Sequence, residues 1–409
     1  MPEGIAAPLT LLVILLTYIG VAVGQLPRVR MNRATIALAG AAALIALGAI
    51  DEQEAYAALD LGTLTLLFSM MVINVNLRMS GFFGLVGAKV LRLARTPQAL
   101  LALIIFAAGV LSALFLNDTI CLMLTPFVVE LTRRLKRDPI PYLIGLATAT
   151  NIGSVATITG NPQNLIIGQS SGIPYLTFLL SLAPVALVGM AISWAVIVAL
   201  YRAEFRGALQ EAAMPNVRTY QPLLTRCLIV LFGLMIAFLL GLPIAPSAFV
   251  AAGLLLISRL RPHKLLSLDW ELLAFFSGLF IVTHTIEVTG LSAAIFEATA
   301  PILRGGIAQL SLVTAALSNL VSNVPAVLLL RPEMAQFSNP QQAWLALAMS
   351  STLAGNFTLL GSVANLIVAG IAARMGVRLG FMAYLRAGVP ITLLSILFGI
   401  LWLMLIATL

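Results

Sequence analysis

Charge is what this sequence has least of. Only 9% of its 409 residues are Asp, Glu, Lys or Arg and 61% are hydrophobic, where an ordinary soluble domain carries about 25% charge. So few charges cannot cover a water-soluble fold of this length, which excludes a soluble multidomain protein, a disordered chain and a coiled coil. Cysteine is nearly absent: Cys121 and Cys227 both lie in apolar runs, with no CxxC pair and no disulfide framework. Two histidines leave no Cys/His metal spacing. No GxxxxGK[ST] loop is present to cradle ATP. The first apolar run has neither a basic leader nor an A-x-A site, so it reads as a span rather than a cleaved signal. No metal and no cofactor are expected. The net charge of +8 reads as basic cytoplasmic loops, not as a nucleic-acid surface.

What is present in quantity is apolar sequence in runs near the roughly 20 residues that cross a bilayer. Spans are expected near 5–24, 34–50, 61–78, 140–168, 174–201, 222–242, 246–260, 268–288, 342–371 and 379–408. Two further stretches, about 97–132 and 306–331, are broken in the middle by polar and helix-breaking residues and read as re-entrant hairpins. Basic residues orient this arrangement. Arg28, Arg30 and Arg33 fall inside, the acidic loop Asp51-Glu52-Gln53-Glu54 outside. Arg78, Lys89, Arg92 and Arg95 precede the first hairpin, and Arg133, Arg134, Lys136 and Arg137 follow it, all inside. The later clusters (Arg202, Arg206, Arg218 and Arg226; Arg259, Arg261 and Lys264; Arg374, Arg378 and Arg386) are also inside, leaving only Arg304 and Arg331 outside. Twelve plain spans would put the first cluster outside, and fit less well.

The two halves repeat. Ser112, Asn117 and Pro126 follow S-x4-N-x8-P, and so do Ser318, Asn323 and Pro332, displaced by 206 residues. Thr157, Gly160 and Asn164-Leu165-Ile166 follow T-x2-G-x3-N-L-I, as do Thr358, Gly361 and Asn365-Leu366-Ile367, displaced by 201. Five spans per half invert the second half relative to the first, an architecture of many secondary transporters. The expected fold is an all-α polytopic membrane protein of about ten transmembrane helices in two inverted five-helix repeats. Residues 1–201 form the first repeat, with its hairpin at about 97–132 and its interrupted helix at 140–168. Residues 202–221 are a cytoplasmic linker. Residues 222–409 form the second repeat, with its hairpin at about 306–331 and its interrupted helix at 342–371. Both termini are expected outside.

Polar residues at mid-membrane depth are costly unless satisfied or functional. Gly160-Asn161-Pro162 should unwind a spanning helix, because proline removes a donor and restricts the residue before it. The half-helix ends would point free N–H groups at one spot near the midplane. The expected solute site is Asn117, Thr119, Gly160, Asn161, Asn164, Ser322, Asn323, Thr358, Gly361, Ser362 and Asn365. Close helix packing would explain any one small residue among them, but less readily all four clustered motifs. Asp118, with no Lys or Arg within ten residues, is the expected proton- or cation-coupling group, since a mid-membrane carboxylate invites neutralisation. It could also cap the returning half-helix. His284 and Glu287 read as an interfacial pair, Asp269 and Glu271 as a solvated helix start, and Glu130 as a partner of the basic cluster. Cys121, three residues after Asp118, would suit a thiophilic solute, but one thiol does not make a site.

Ser80-Gly-Phe-Phe, Ala113-Leu-Phe-Leu-Asn117-Asp118, Leu124-Thr125-Pro126 and Ser322-Asn323-Val324-Pro325 resemble the bacterial arsenite permeases of the ion transporter superfamily. The likeness spans essentially the whole chain. It implies two five-span repeats divided between scaffold and transport subdomains, elevator-type alternating access, and arsenite or antimonite export from the bacterial inner membrane against entering protons. It also admits a soluble arsenite-stimulated ATPase or a second copy of the chain as partner. Two features depart from that pattern or from its relatives. The carboxylate symporters carry Ser-Asn-Thr at both hairpin tips, where this chain has Asn117-Asp118-Thr119 and Asn323-Val324-Pro325. Gly160-Asn161-Pro162-Gln163-Asn164 is closer to the G-[DT]-P-P-N of sodium/proton antiporters and anion carriers. A sodium- or proton-coupled anion or carboxylate carrier, a sodium/proton antiporter, and a channel-like subunit energised by an ATPase therefore stay open. No acid/base dyad or nucleophile–base pair in the spans points to an enzyme.

Overall fold

The computed structural model describes residues 3–26, 31–209, 218–257, 268–290 and 305–407. Arg28, Arg30, Arg259, Arg261, Lys264, Arg304 and the linker stretch 210–217 lie outside the described residues.

The chain is an all-α polytopic membrane protein. Among the described residues, the only strands are the two-residue pair Gln25–Leu26 and Met31–Asn32. The first half runs α1 (Glu3–Val23), α2 (Arg33–Ala46), a short α3 (Glu52–Ala57), α4 (Leu61–Ser80), α5 (Phe82–Leu93), α6 (Pro97–Leu114), α7 (Asn117–Arg134), α8 (Pro139–Ser154), α9 (Pro162–Ser171) and α10 (Tyr175–Leu200). The second runs α11 (Gln221–Leu239), α12 (Ile244–Leu256), α13 (Trp270–Val288), α14 (Ile307–Val321), α15 (Asn323–Leu330), a 3-10 turn (Arg331–Gln336), α16 (Pro340–Ala354), α17 (Val363–Arg374) and α18 (Phe381–Ile406). Six of the described helices (α4, α6, α10, α11, α13 and α18) are long and apolar enough to cross a membrane singly.

Local chemistry sets these boundaries. Asn32, Thr96, Asp138, Asn161 and Asn339 each accept a backbone N–H in the first turn of the helix they precede, which satisfies a donor that has no intrahelical partner. Proline occupies the first position after four of them, where its missing N–H costs nothing. Gly81 ends α4 in the left-handed conformation at φ +81°, which glycine adopts without steric cost. α5 stands where a basic loop was expected. It is an amphipathic helix with Phe83, Gly87 and Val90 buried.

Packing is extensive both within and between the two halves. α2 packs on α13 and α4 on α12, α6 on α8 and α14 on α16, while α10 and α18 pack on each other. Helices α8 and α16 are buried on all sides, from Pro141 to Ser154 and from Ala343 to Ala354. Such a helix belongs to the core of a bundle. Small residues let it come close: a Cβ at Gly153 would fall 2.1 Å from the carbonyl oxygen of Gly109 in α6.

Candidate functional site

Both central helices stop at mid-bundle. α8 ends at Ser154 and α9 begins at Pro162; α16 ends at Ala354 and α17 begins at Val363. The two breaks are held open by one device used twice. The Asn164 amide donates to the carbonyls of Ser154 (3.0 Å) and Thr157 (2.9 Å). Asn365, 201 residues on, donates to those of Gly355 (2.7 Å) and Thr358 (3.1 Å). Carbonyls left without a helical partner are thus satisfied inside the bundle, where water cannot serve. Gly160 fits where no side chain would, since a Cβ there would lie 2.4 Å from the Ser154 oxygen. These two asparagines, expected to bind solute, spend their amide protons on the loops themselves.

Asn151, buried in α8, joins the halves. Its Nδ2 donates to Asn356 Oδ1 at 2.8 Å and to Asn365 Oδ1 at 3.1 Å. Its Oδ1 accepts from Asn117 Nδ2 and Ser362 Oγ, each at 3.1 Å. Asn356 in turn donates to the Thr148 carbonyl at 3.1 Å. Asn161 and Gln163 both donate to Thr352 Oγ1 of α16, at 3.2 Å each. Of the expected residues, Asn117, Ser362 and Asn365 meet around Asn151, and Asn161 reaches across to α16. Thr358 and Gly361 lie in the second break.

Each hairpin tip is tied to a break. The Asn117 backbone N–H donates to the Gly160 carbonyl at 3.0 Å. At the second tip, Ser318 donates to Asn323 Oδ1 at 2.6 Å and to the Ser351 carbonyl at 3.1 Å, while Asn319 reaches the Ala354 carbonyl at 3.1 Å. Ser322 turns this tip at φ +81°, a strained value for a residue with a side chain. Thr119 accepts from Asn74 Nδ2 of α4 at 3.2 Å.

Asp118 sits in the first turn of α7, half-buried. It is not the cap: Leu116 holds that position and makes no side-chain cap bond. Among the described residues, Asp118 has no hydrogen-bond or ion-pair partner. Around the tip, the buried oxygens Asn117 Oδ1, Asn74 Oδ1, Asn164 Oδ1 and Ser112 Oγ have no partner, although buried polar atoms are almost always paired. Three of the four are pure acceptors.

Other expected pairs take their places at the periphery. Glu130 pairs with Arg134 on one face of α7. His284 meets Glu287 at 3.3 Å. Glu271 accepts from Asn32 at 2.8 Å, which staples the starts of α13 and α2. Cys121 meets Thr150 at 3.1 Å and is buried.

A protein-family profile described as "Citrate transporter" matches residues 11–353 of the chain. The chain belongs to the citrate transporter family. It is 33% identical to the silicon efflux transporter LSI3 of Oryza sativa, over 92% of this chain and 93% of that one. It is 31% identical to a 46 kDa membrane protein of Mycobacterium leprae, over 91% and 94%. A Dictyostelium discoideum protein named as a transporter, arsB, shares 24% identity over 90% of this chain and 87% of its own. Among solved structures, the YdaH transporter of Alcanivorax borkumensis has a similar fold at TM-score 0.58 and 17% identity, covering 96% of this chain and 95% of that one. This citrate transporter family member is accordingly a multi-pass membrane transporter of the ion transporter superfamily.

Proposed function

We propose that this protein is a proton-coupled secondary exporter of small neutral hydroxylated solutes, with arsenite and antimonite as substrates, in a bacterial inner membrane. The observation that carries the reading is the chemistry of the free groups at the first hairpin tip. Asn117 Oδ1, Asn74 Oδ1 and Asn164 Oδ1 are buried acceptors without donors, and Asp118 adds a carboxylate. An anion needs donors, from arginine forks or free amides. A solute that brings its own hydroxyl protons meets acceptors instead. Arsenous acid, neutral near pH 7, is such a solute. The similarity to a silicon efflux transporter supports the same chemistry, because silicic acid is also a small neutral polyhydroxy acid.

In this reading the two halves, 1–201 and 222–409, are inverted repeats joined by 202–221, with both termini outside. In this reading the two breaks differ in exposure. Leu165 of the first motif is fully buried and α9 packs against α4, but its counterpart Leu366 is 38% exposed. In this reading α17 runs from mid-membrane to Arg374 on the cytoplasmic side. A proton entering through Asp118 then drives solute out, helped by a membrane potential worth about 2.3 kcal/mol per charge per 100 mV.

The test is arsenite uptake by everted vesicles under an imposed proton gradient, a sodium gradient and none. Accumulation with protons alone supports the proposal. No arsenite movement, in vesicles shown to hold folded protein, removes this substrate. The second reading, a coupled carboxylate carrier, is favoured by the family's description. Citrate uptake under the same gradients, without arsenite uptake, would establish it. A requirement for a soluble ATPase would replace both.

A further inference from the structure

A groove runs along the surface of the bundle where α7 packs on α17. Leu122 of α7 forms one wall and Val363, Leu366, Ile367 and Gly370 of α17 form the other, around a cavity of about 420 Å³ that ends at Arg374. Above Gly370 the space is open, since a Cβ there would meet nothing within 4 Å. Leu122, Val363 and Leu366 are exposed. A wall this apolar does not line a water-filled crevice; in a membrane it faces hydrocarbon. At about 1.5 Å per residue, the 12 residues of α17 span about 18 Å, close to the roughly 15 Å of hydrocarbon in one leaflet. The mouth of the groove is basic. Arg374 is exposed, and among the described residues its side chain has no hydrogen-bond or ion-pair partner. Arg133 of α7 reaches the same turn, where it donates to the Met375 carbonyl, and a guanidinium has further donors to spare. Glu130, the carboxylate at this end of α7, is already paired with Arg134.

We propose that this groove binds one anionic phospholipid, with an acyl chain laid along α17 and the phosphate between Arg374 and Arg133. The groove selects that occupant by its shape and charge. It is about as long as one leaflet is thick, its wall is apolar throughout, and its charge lies only at the membrane-surface end, on guanidinium groups that match phosphate oxygens. A peptide or a polar solute would need hydrogen-bonding groups along the wall, and the wall offers none. The site takes only its leaflet, the cytoplasmic one, from the reading above, and it holds whatever the solute is. Its place in the fold gives it a consequence for transport. α7 begins at the first hairpin tip with Asn117 and Asp118. Leu366 follows Asn365, which staples the second break and accepts from Asn151 at 3.1 Å. A lipid lodged between α7 and α17 braces the first hairpin against the second interrupted helix. Each basic residue near an anionic headgroup is worth about fivefold in affinity.

The test is native mass spectrometry of the purified, delipidated protein. It is titrated with phosphatidylglycerol, with phosphatidylethanolamine of the same chains, and with glycerol phosphate, which has the anionic group and no chain. Wild type should hold one phosphatidylglycerol at least about fivefold more tightly than phosphatidylethanolamine, and glycerol phosphate should not displace it. Arg374→Gln should weaken phosphatidylglycerol about fivefold and leave phosphatidylethanolamine unchanged. Gly370→Trp fills the groove and should lose the tight lipid altogether; Gly370→Leu replaces it if Trp fails to fold. Arg226→Gln removes an exposed arginine near the start of α11 and should bind as wild type does. Phosphatidylglycerol should also raise the unfolding temperature of wild type but not of Gly370→Trp. Equal affinity of wild type for the two lipids, a groove variant that binds like wild type, displacement by glycerol phosphate, or an equal loss in Arg226→Gln would each overturn the proposal. So would a lipid-independent dimer that Gly370→Trp dissolves, since a second copy would then fill the groove. Arsenite uptake by wild-type vesicles is measured alongside. Lipid retention without uptake would sink the substrate and leave the lipid site; uptake without lipid retention would do the reverse.

Discussion

Replacing Asn151 by alanine removes a side chain that joins both interrupted helices and the first hairpin. Four bonds go with it: to Asn356 at 2.8 Å and to Asn365, Asn117 and Ser362 at 3.1 Å each. In water-excluded protein, each partner left bare costs about 1–3 kcal/mol. Inside membranes the measured value per bond is smaller, about 0.6 kcal/mol on average with a maximum near 1.7. Four bonds at the membrane value give about 2.4 kcal/mol, and the small cavity adds to it. The expected loss is therefore about 2–4 kcal/mol. Asn151→Asp should cost at least as much, since it turns a donor into an oxygen facing the Asn356 and Asn365 oxygens. Asn76→Ala is the control, because among the described residues the Asn76 amide bonds only to the Val72 carbonyl of its own helix, at 2.8 Å. Thermal and SDS-induced unfolding of the purified protein would read the difference. An Asn151→Ala protein within about 0.5 kcal/mol of wild type, or no less stable than Asn76→Ala, would refute the claim that this amide holds the two halves together.

The remaining predictions separate packing from function. Gly153→Ala puts a methyl 2.1 Å from the Gly109 oxygen, and backbone cannot yield there, so loss of about 3 kcal/mol or failure to fold is expected, read by yield of monodisperse protein. Gly370→Ala meets nothing within 4 Å in α17 and should gain up to about 1 kcal/mol from helix propensity, read in the same unfolding assay. Ser322→Gly relieves a φ of +81° and should raise stability by about 1 kcal/mol. Asp118→Asn should abolish proton-driven accumulation while leaving arsenite–arsenite exchange within about threefold of wild type.

Much of the fold could be read from the sequence because membrane spans are local. Apolar run length and the unit Gly160-Asn161-Pro162 each act within one segment. The break before Pro162 lies where those residues require it. The α5 helix was within reach as well: Phe83, Gly87 and Val90 recur at helical spacing on its buried face, but the basic residues beside them suggested a loop. The site was only half legible. Asn117 and Ser362 were visible as polar residues in repeated motifs. Asn151 and Asn356 were not, because neither belongs to a repeated motif, although an amide inside an apolar helix was signal enough to flag Asn151. The repeated asparagines show the opposite limit. Their recurrence was plain in the sequence, yet their use in stapling the loops needed the positions of carbonyl oxygens.

The central claim is that a proton on Asp118 is exchanged for a neutral hydroxylated solute, and the most direct measurement is the proton movement that solute transport itself produces. Liposomes containing the protein and an internal pH dye, loaded with arsenite at matched pH and diluted into arsenite-free buffer, should acidify inside as arsenite leaves by whichever face of the carrier is available. Asp118→Asn liposomes should release arsenite, if at all, with no pH change. Arsenite efflux from wild type without any internal acidification, or the same acidification from Asp118→Asn, would contradict the account.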